Sequence, residues 1–293
     1  MSQWVGASSP ITLSLDEGRG ELKAAFKGRP LMVYAFATNQ FKPYVRELYA
    51  LNGVNVLRDA PADHLHHHGL MYAIRVNGVN FWEERDDPGI QKSVHLLSRE
   101  TGCDTRGRLQ ARFAHLIHWV SGPRAPALLI ERRTITVTVD EAAGEVALRW
   151  QGAFEVGRGV EKVNLHGSAY NGLGLRLPEA FDHAAEHINS ANAPYTAEQK
   201  WDVTTARWSA VSHAVEGREV MVALLSRSTN KGEPRFFTML NPFAYFSVTQ
   251  NLEKDPLEYS MCDSFVIEYL LTVYSEKKSS QFLNERQQRW EKE

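Results

Sequence analysis

Apolar and polar residues alternate with a period of two along most of this chain, and that pattern restricts its fold more than any other feature. Alternate residues of a strand point to the same side of a sheet, so the alternation is typical of strands with one face in a core. The clearest segments are Arg108 to Val120 and Ala127 to Asp140. We therefore predict an all-β chain.

Shorter segments add to this pattern. Further strands are predicted at Ile11 to Leu15, Leu31 to Phe36, Val54 to Leu57, Leu70 to Val76, Val146 to Trp150, Val160 to His166, Gly172 to Leu177, Val220 to Ser226, Phe236 to Leu240, Tyr245 to Thr249 and Phe265 to Tyr274. Asn77-Gly78 predicts a type I′ hairpin, because both central residues of that turn need positive φ. Only Ser279 to Lys292 has a helical pattern, which predicts a short C-terminal helix.

The chain shows no internal repeat and no linker that would mark a domain boundary. We therefore expect residues 1–293 to form a single domain, a large antiparallel β-sandwich of two sheets packed face to face. The polar segment His183 to Arg207 is predicted to be a long connection over the rim of the sandwich, where functional loops often lie.

Composition narrows the function classes. Hydrophobic residues at 43%, charged residues at 23% and a net charge of -2 are typical of a soluble globular protein without a nucleic-acid surface. The longest apolar run, Leu31 to Ala37, is far shorter than the roughly 20 residues of a membrane helix. Met1 to Ile11 shows no secretory signal, so we expect a cytoplasmic protein. Cys103 and Cys262 are expected to be reduced, buried thiols.

Four of the eleven histidines lie together in one short segment. It reads Asp63-His64-Leu65-His66-His67-His68-Gly69. An extended backbone would project His64, His66 and His68 to one side and His67 to the other. Imidazoles at such positions suit proton transfer or the binding of a divalent transition metal, for which His64, His66 and His68 would be the ligands. A loop of solvated histidines and a structural hydrogen-bonded cluster are the alternatives.

Glu131 and Arg133 share the apolar face of one predicted strand. Burying a carboxylate is costly without a partner, so an ion pair inside the sandwich is one interpretation. The other is a general acid or base whose pKa is set by burial.

The segment Leu165 to Arg176 contains glycines within a strand pattern, which often mark a close approach to a ligand. Tyr170, Asn171 and Arg176 would then line a pocket, although Arg176 could equally be a surface charge. Trp82 is a candidate for stacking on a sugar ring, or else a core residue.

Several of these segments together resemble a bacterial family labelled "methane oxygenase PmoA". The resemblance is carried by Tyr44 to Gly53, Arg58-Asp59, Asp63 to Gly69, Asn80 to Glu83, Tyr170 to Arg176 and Asn241 to Ala244. Many members have Pro at the position of Leu65 and Arg at that of His68, so His64, His66 and His67 are stronger candidates than His68. Methane oxygenase activity itself is not expected, because this chain has no segment able to lie in a membrane.

The resemblance implies a galactose mutarotase-like supersandwich, in which one sheet holds a sugar between a histidine acid and a carboxylate base. Carried onto this chain, His66 or His67 would be the acid and Glu131, or less favourably Glu268, the base. Arg58 and His64 would bind the substrate, and they would be joined there by Trp82, Tyr170, Asn171 and Arg176.

The leading hypothesis is thus an enzyme acting on a small-molecule carbohydrate or oxidised sugar by histidine and carboxylate acid-base chemistry, resembling an epimerase, mutarotase, lyase or hydrolase. The chemistry could be assisted by a metal, and the chain could form a homo-oligomer; the sequence decides neither point. A non-catalytic sugar-binding or regulatory module and a metal-dependent oxygenase or lyase are the alternatives.

Overall fold

The computed structural model describes residues 10–195 and 200–293, which form 21 strands and one α-helix. In chain order the strands are β1 (Ile11–Asp16), β2 (Glu21–Phe26), β3 (Arg29–Ala35), β4 (Tyr44–Leu48), β5 (Leu70–Ala73), β6 (Arg75–Val76), β7 (Val79–Asn80), β8 (Ile90–Cys103), β9 (Leu109–Val120), β10 (Ala127–Asp140), β11 (Glu145–Val156), β12 (Lys162–His166), β13 (Gly172–Arg176), β14 (Glu186–Asn189), β15 (Asp202–Thr205), β16 (Trp208–Val215), β17 (Arg218–Ser226), β18 (Arg235–Met239), β19 (Tyr245–Thr249), β20 (Leu257–Ser260) and β21 (Ser264–Tyr274). The helix α1 spans Ser280–Trp290, and a 3-10 helix spans Glu179–Phe181.

The strands pair antiparallel in three sheets. A nine-stranded sheet has the order β1-β2-β3-β4-β5-β13-β19-β18-β15, and an eight-stranded sheet has the order β14-β16-β17-β21-β11-β10-β9-β8. A small third sheet consists of β20, β12, β6 and β7. The main hydrophobic core takes side chains from both large sheets, which pack as a sandwich. The predicted all-β sandwich with a short C-terminal helix is confirmed.

The eight-stranded sheet is covered on both faces where α1 packs. In β17 the residues Val220, Val222 and Leu224 belong to the main core. The residues between them face a second cluster, made of Met221, Ala223 and Leu225 with Leu283 and Trp290 of the helix. A strand buried on both faces reads as a continuous apolar run, as Val220 to Leu225 does.

Most of the predicted strands are present, and so is the hairpin. Asn77 and Gly78 have φ of 50° and 81° between β6 and β7, as a type I′ turn requires. The prediction at Val54 to Leu57 is wrong, since that buried segment makes only one isolated bridge, between Tyr49 and Asn55.

The segment predicted to be one long connection, His183 to Arg207, contains two strands. β14 is an edge strand of the eight-stranded sheet and β15 is an edge strand of the nine-stranded sheet. Short edge strands pair on one side only. The sequences of β14 and β15 are polar and show no alternation of apolar and polar residues, so these strands were not predicted. Residues 196–199 of this segment and residues 1–9, where no secretory signal was predicted, lie outside the described residues.

The two cysteines and the absence of membrane-spanning segments were also predicted. Cys103 and Cys262 are free, as expected, but both are exposed rather than buried. Within the described ranges, no helix has both the length and the apolar character needed to span a bilayer.

Candidate functional site

The histidine segment folds as two consecutive turns rather than as an extended strand. The backbone N–H of His64 donates to the carbonyl of Pro61 at 2.9 Å, and that of His67 donates to the carbonyl of His64 at 2.9 Å. Gly69 ends the loop with φ of 25°, where a Cβ would lie 2.2 Å from the Val45 carbonyl oxygen. The glycine therefore lets the loop pass close to β4.

These turns bring together a different set of histidines from the one that an extended segment predicts. The rings of His64 and His67 stack at 4.6 Å, His66 meets His67 at 4.6 Å, and His64 lies 5.7 Å from His66. His68 points elsewhere, so the predicted metal ligands His64, His66 and His68 do not converge. The reason is local: a turn rotates successive side chains, whereas a strand alternates them.

His68 belongs to a buried network behind the cluster. Its Nδ1 lies 2.9 Å from Asp59 and its Nε2 lies 3.1 Å from Glu84, while the ring stacks on Tyr44. Burial alone would lower the pKa of His68, but these carboxylates raise it above its usual value. Lys42 donates to Glu84 at 2.5 Å and to the Trp82 carbonyl at 3.1 Å. The network therefore ties the histidine loop to the segment that follows β7.

The other three histidines form one wall of a pocket of about 540 Å³ on the outer face of the nine-stranded sheet. Its lining consists of Ala62, Asp63, His64, Leu65, His66, His67, Trp82, Glu83, Arg85, Tyr170, Phe237, Met239, Phe243 and Tyr245. The floor depends on Gly174 in β13, where a Cβ would lie 1.9 Å from the Tyr245 hydroxyl and 3.0 Å from the Trp82 ring. Glycine at this position leaves room for two aromatic rings on the sheet.

Glu83 and Tyr170 lie on the pocket wall. The Tyr170 hydroxyl lies 3.5 Å from Glu83 Oε1, and Asn80 donates to Glu83 Oε2 at 3.3 Å. The Tyr170 carbonyl accepts hydrogen bonds from the hydroxyls of Tyr245 and Ser247, both at 3.0 Å. Tyr170 is thus fixed to the sheet at its backbone, while its hydroxyl is held only weakly.

Burial keeps the imidazoles of His66 and His67 neutral. Desolvation, with the nearby charges of Lys42 and His64, lowers the pKa of His66, while Glu83 acts in the opposite direction. Burial lowers the pKa of His67 to about 2, and its Nδ1 has no hydrogen-bond partner. A neutral imidazole near a carboxylate can accept a proton.

Asp63, at the edge of the pocket, keeps its negative charge. Burial would raise the pKa of Asp63, but hydrogen bonds from His64 and Arg176, at 3.1 and 2.9 Å, hold it at about 2. The Arg176 guanidinium is buried and lies 3.7 Å from the centre of the Phe243 ring. Arg176 therefore supports the wall from behind and is not a surface charge.

Of the six predicted binders, Trp82, His64 and Tyr170 line the pocket, whereas Arg58, Asn171 and Arg176 do not. The Asn171 side chain accepts the Ser168 N–H at 3.0 Å and closes a turn. Arg58 faces Glu179 at 3.5 Å and Asp182 at 4.0 Å, outside the pocket lining. Trp82 is 1% exposed, so it forms floor rather than an open stacking surface.

The structure does not bring Glu131 to the histidines. Glu131 is fully buried, accepts from Arg133 at 2.7 Å and from the Trp119 indole at 2.8 Å, and does not line the pocket. The ion-pair interpretation is the one that the structure supports. Glu268 is also remote from the pocket, bound to Arg149 and Gln151 on the eight-stranded sheet.

Sequence reasoning missed the carboxylate and part of the floor. Glu83 follows Trp82 directly and is the first carboxylate after the histidines, which was the available signal. Phe243 lies in the Asn241 to Ala244 turn of the family pattern. Tyr245 gave no signal, because its alternation within a strand reads as ordinary core.

The donor set for a metal is incomplete. Across residues 10–195 and 200–293, no group of three or more His, Cys, Asp or Glu side chains is arranged to hold a metal ion.

Solved structures with a similar fold include two alpha-galactosidases that are much longer than this chain. The GH36 alpha-galactosidase AgaB from Geobacillus stearothermophilus superposes with a TM-score of 0.57 and 9% identity, over 90% of this chain and 41% of that one. The galactosidase domain of alpha-galactosidase-sucrose kinase, AgaSK, gives 0.51 and 8%, over 90% and 42%. This chain therefore spans less than half the length of these proteins, and at such identities the likeness concerns the fold alone.

Sequence comparison gives a family without an assigned activity. No curated protein matches the chain. The model described as a family of unknown function, DUF6807, matches residues 21–287, and it carries no methane oxygenase label. The chain belongs to the family of unknown function DUF6807.

Proposed function

We propose that the chain binds a sugar or an oxidised sugar in the histidine pocket and acts on it by proton transfer through His66. The observation that carries the proposal is the neutral, half-buried imidazole of His66 facing the same pocket as the Glu83 carboxylate. His66 takes the proton of the anomeric hydroxyl as the bond between C1 and the ring oxygen breaks, and it gives that proton to the ring oxygen, which leaves the open-chain aldehyde. The ring then closes on the other face of the aldehyde, with the proton returning through His66, and the opposite anomer forms. Glu83 stabilises the imidazolium that forms in between.

The remaining lining suits a polyol. The partly exposed side chains of Met239 and Phe243 offer apolar surface to the C–H face of a sugar ring. His64 and Tyr170 supply polar atoms for the sugar hydroxyls. The volume of about 540 Å³ falls within the range of small-molecule sites, roughly 300 to 1,000 Å³. A fold similar to that of proteins named alpha-galactosidases is in keeping with a saccharide ligand.

A proton that leaves and returns to the same sugar needs no co-reactant. Anomer exchange and related isomerisations have this character, and one positioned base accelerates them by about 10² to 10⁴-fold. His66 therefore acts first as a base, and not as the acid that the family resemblance implies, because burial favours the neutral ring.

The test compares wild type with His66→Asn, Glu83→Gln and, as a matched control, His118→Asn on β9. Calorimetry with galactose, glucose and glucuronate gives the affinities, and exchange NMR gives the rates of anomer interconversion. We expect His66→Asn to lower the rate about 10²-fold or more with a small change in Kd. Glu83→Gln should shift the acid limb of the rate profile to lower pH, because loss of its charge disfavours the imidazolium.

The possible outcomes separate the alternatives. Sugar binding without turnover in the wild type would favour the non-catalytic binding module. A wild type that binds none of the sugars, or a His66→Asn variant with an unchanged rate, would overturn the proposal. The control is expected to behave as the wild type.

A further inference from the structure

Trp201 is an exposed indole beside the histidine pocket. Its exposure is 49%, whereas Trp82, Trp119, Trp150 and Trp208 are almost completely buried. Leu65, on the pocket lining, is also exposed, at 66%. Large exposed apolar side chains beside a cavity are typical of binding surfaces.

The register of the sheet places Trp201 on the face that holds the pocket. β15 pairs with β18 so that Val203 lies opposite Phe237, which lines the pocket. Residues two apart along an extended chain share a face, so Trp201 lies on the same side as Val203. The edge strand thus continues the pocket surface outward.

Ring contacts join Trp201 to the pocket floor. Trp201 stacks on Phe237 with a centroid distance of 5.7 Å and an interplanar angle of 24°. Phe237 in turn lies 6.0 Å from Tyr245, a ring of the floor. A chain of ring contacts therefore leads from the pocket floor to an exposed indole at the rim.

We propose that Trp201 forms an outer subsite that stacks on a second sugar ring. The ligand is then a saccharide of at least two units, with one ring among the histidines and the next on the indole. Tryptophan suits this role because its large apolar face matches the C–H face of a sugar ring, while the hydroxyls of the sugar stay in water. The inference rests on the proposed function, since it needs a sugar in the inner pocket.

The experiment measures the affinities of glucose and galactose against those of maltose, cellobiose and melibiose by calorimetry. The variants are Trp201→Ala and Trp201→Phe, with Phe41→Ala as a control at another exposed aromatic residue. Stacking of this kind changes affinity by roughly 2 to 10-fold. We expect Trp201→Ala to weaken the disaccharide by that factor and to leave the monosaccharide unchanged, with Trp201→Phe in between.

A second readout follows the exposure of the Trp201 indole and does not need the Trp201→Ala variant. Acrylamide quenching of tryptophan fluorescence reports exposed indoles, and its Trp201 component is the difference between wild type and Trp201→Phe. A bound disaccharide should reduce this component, and a monosaccharide should not.

Each failure has its own signature. Monosaccharides and disaccharides that bind equally, with no effect of Trp201→Ala, would overturn the subsite and leave the proposed function standing. A disaccharide that binds without reducing the quenching of Trp201 would overturn it as well. Absence of binding by every sugar would overturn both proposals.

Discussion

The two carboxylates considered as partners of the histidines, Glu83 and Glu131, differ in what surrounds them. Glu83 is partly exposed in the pocket, where its carboxylate accepts long hydrogen bonds at 3.3 and 3.5 Å and lies 3.5 Å from the exposed Arg85 guanidinium. Both oxygens of Glu131 accept short bonds, from Arg133 and Trp119, in the fully buried core. A carboxylate with saturated oxygens and no access to solvent stabilises the fold and has no free site for a substrate proton.

This difference predicts opposite phenotypes. Glu131→Gln leaves the Arg133 guanidinium buried without its counter-ion, so we expect a loss of roughly 3 to 5 kcal/mol in the free energy of unfolding. Urea denaturation measures that loss, and sugar affinity of the folded protein should not change. Glu258→Gln, in the exposed pair with Lys162, serves as control with an expected loss of about 0 to 1 kcal/mol. A Glu131→Gln variant as stable as this control would contradict the interpretation.

The sequence allowed the histidines to be predicted as a cluster, but not which of them converge. That choice depends on backbone bonds such as the one from His67 to His64, which produce turns in a segment whose residue types also allow a strand. The partners of His68, Asp59 and Glu84, lie 9 and 16 residues away along the chain. Such pairings follow from the fold and leave no local pattern.

At the scale of single elements, β13 shows how a strand shapes the pocket. Its inward residues, Leu173 and Leu175, enter the main core, while Gly174 between them faces the pocket floor. Tyr245 and Trp82 occupy the space that a side chain at position 174 would need. The strand therefore contributes to the site through the space that it leaves free.

Gly174→Ala should disturb this floor. The new Cβ would lie 1.9 Å from the Tyr245 hydroxyl, so the tyrosine must move and give up its bond to the Tyr170 carbonyl. We expect a loss of about 1 to 3 kcal/mol in stability and weaker sugar binding, measured by urea denaturation and calorimetry. The matched control is Gly102→Ala in β8, where a Cβ meets nothing within 4 Å. Equal behaviour of the two variants would refute this account.

Strands could be predicted where one face of the strand is buried in the sandwich and the other face is exposed to solvent. β9 and β10 have that environment, and their predicted limits agree with the structure to within one residue. β8 is 14 residues long but lies at the edge of its sheet, and most of its side chains are exposed on both faces. Without a buried face no alternation is required, so β8 gave no periodic signal.

At the scale of the whole molecule, neutral histidines are buried at several separate places. Burial lowers the pKa of His115 to about 3 and that of His187 to about 4, in addition to His67 in the pocket. His115 in β9 is fully buried and bonded at 2.9 Å to the hydroxyls of both Tyr34 and Ser93. These sites are distributed over both halves of the sandwich, so protonation acts on the fold as a whole.

Stability should therefore fall as the pH drops below about 6.5. An unfolded histidine binds a proton near pH 6.5, whereas the folded pKa of His115 is about 3. Its contribution to stability is present above pH 6.5 and is lost as the pH falls towards that folded value. His187 acts in the same direction down to about pH 4 and His67 down to about pH 2, whereas the raised pKa of His68 acts against them.

Each such histidine contributes up to about 1.4 kcal/mol per pH unit within this window. Urea denaturation of the wild type at pH 7, 6 and 5 should show a falling free energy of unfolding. His115→Gln should be less stable at pH 7 because the core is disturbed, but its stability should fall less steeply with acid. Thr134→Val in the neighbouring strand β10 provides the control, since it removes a buried polar group that binds no proton and should keep the wild-type slope. If His115→Gln kept that slope too, His115 would not be a neutral buried group, because its removal would then have left the difference in bound protons unchanged.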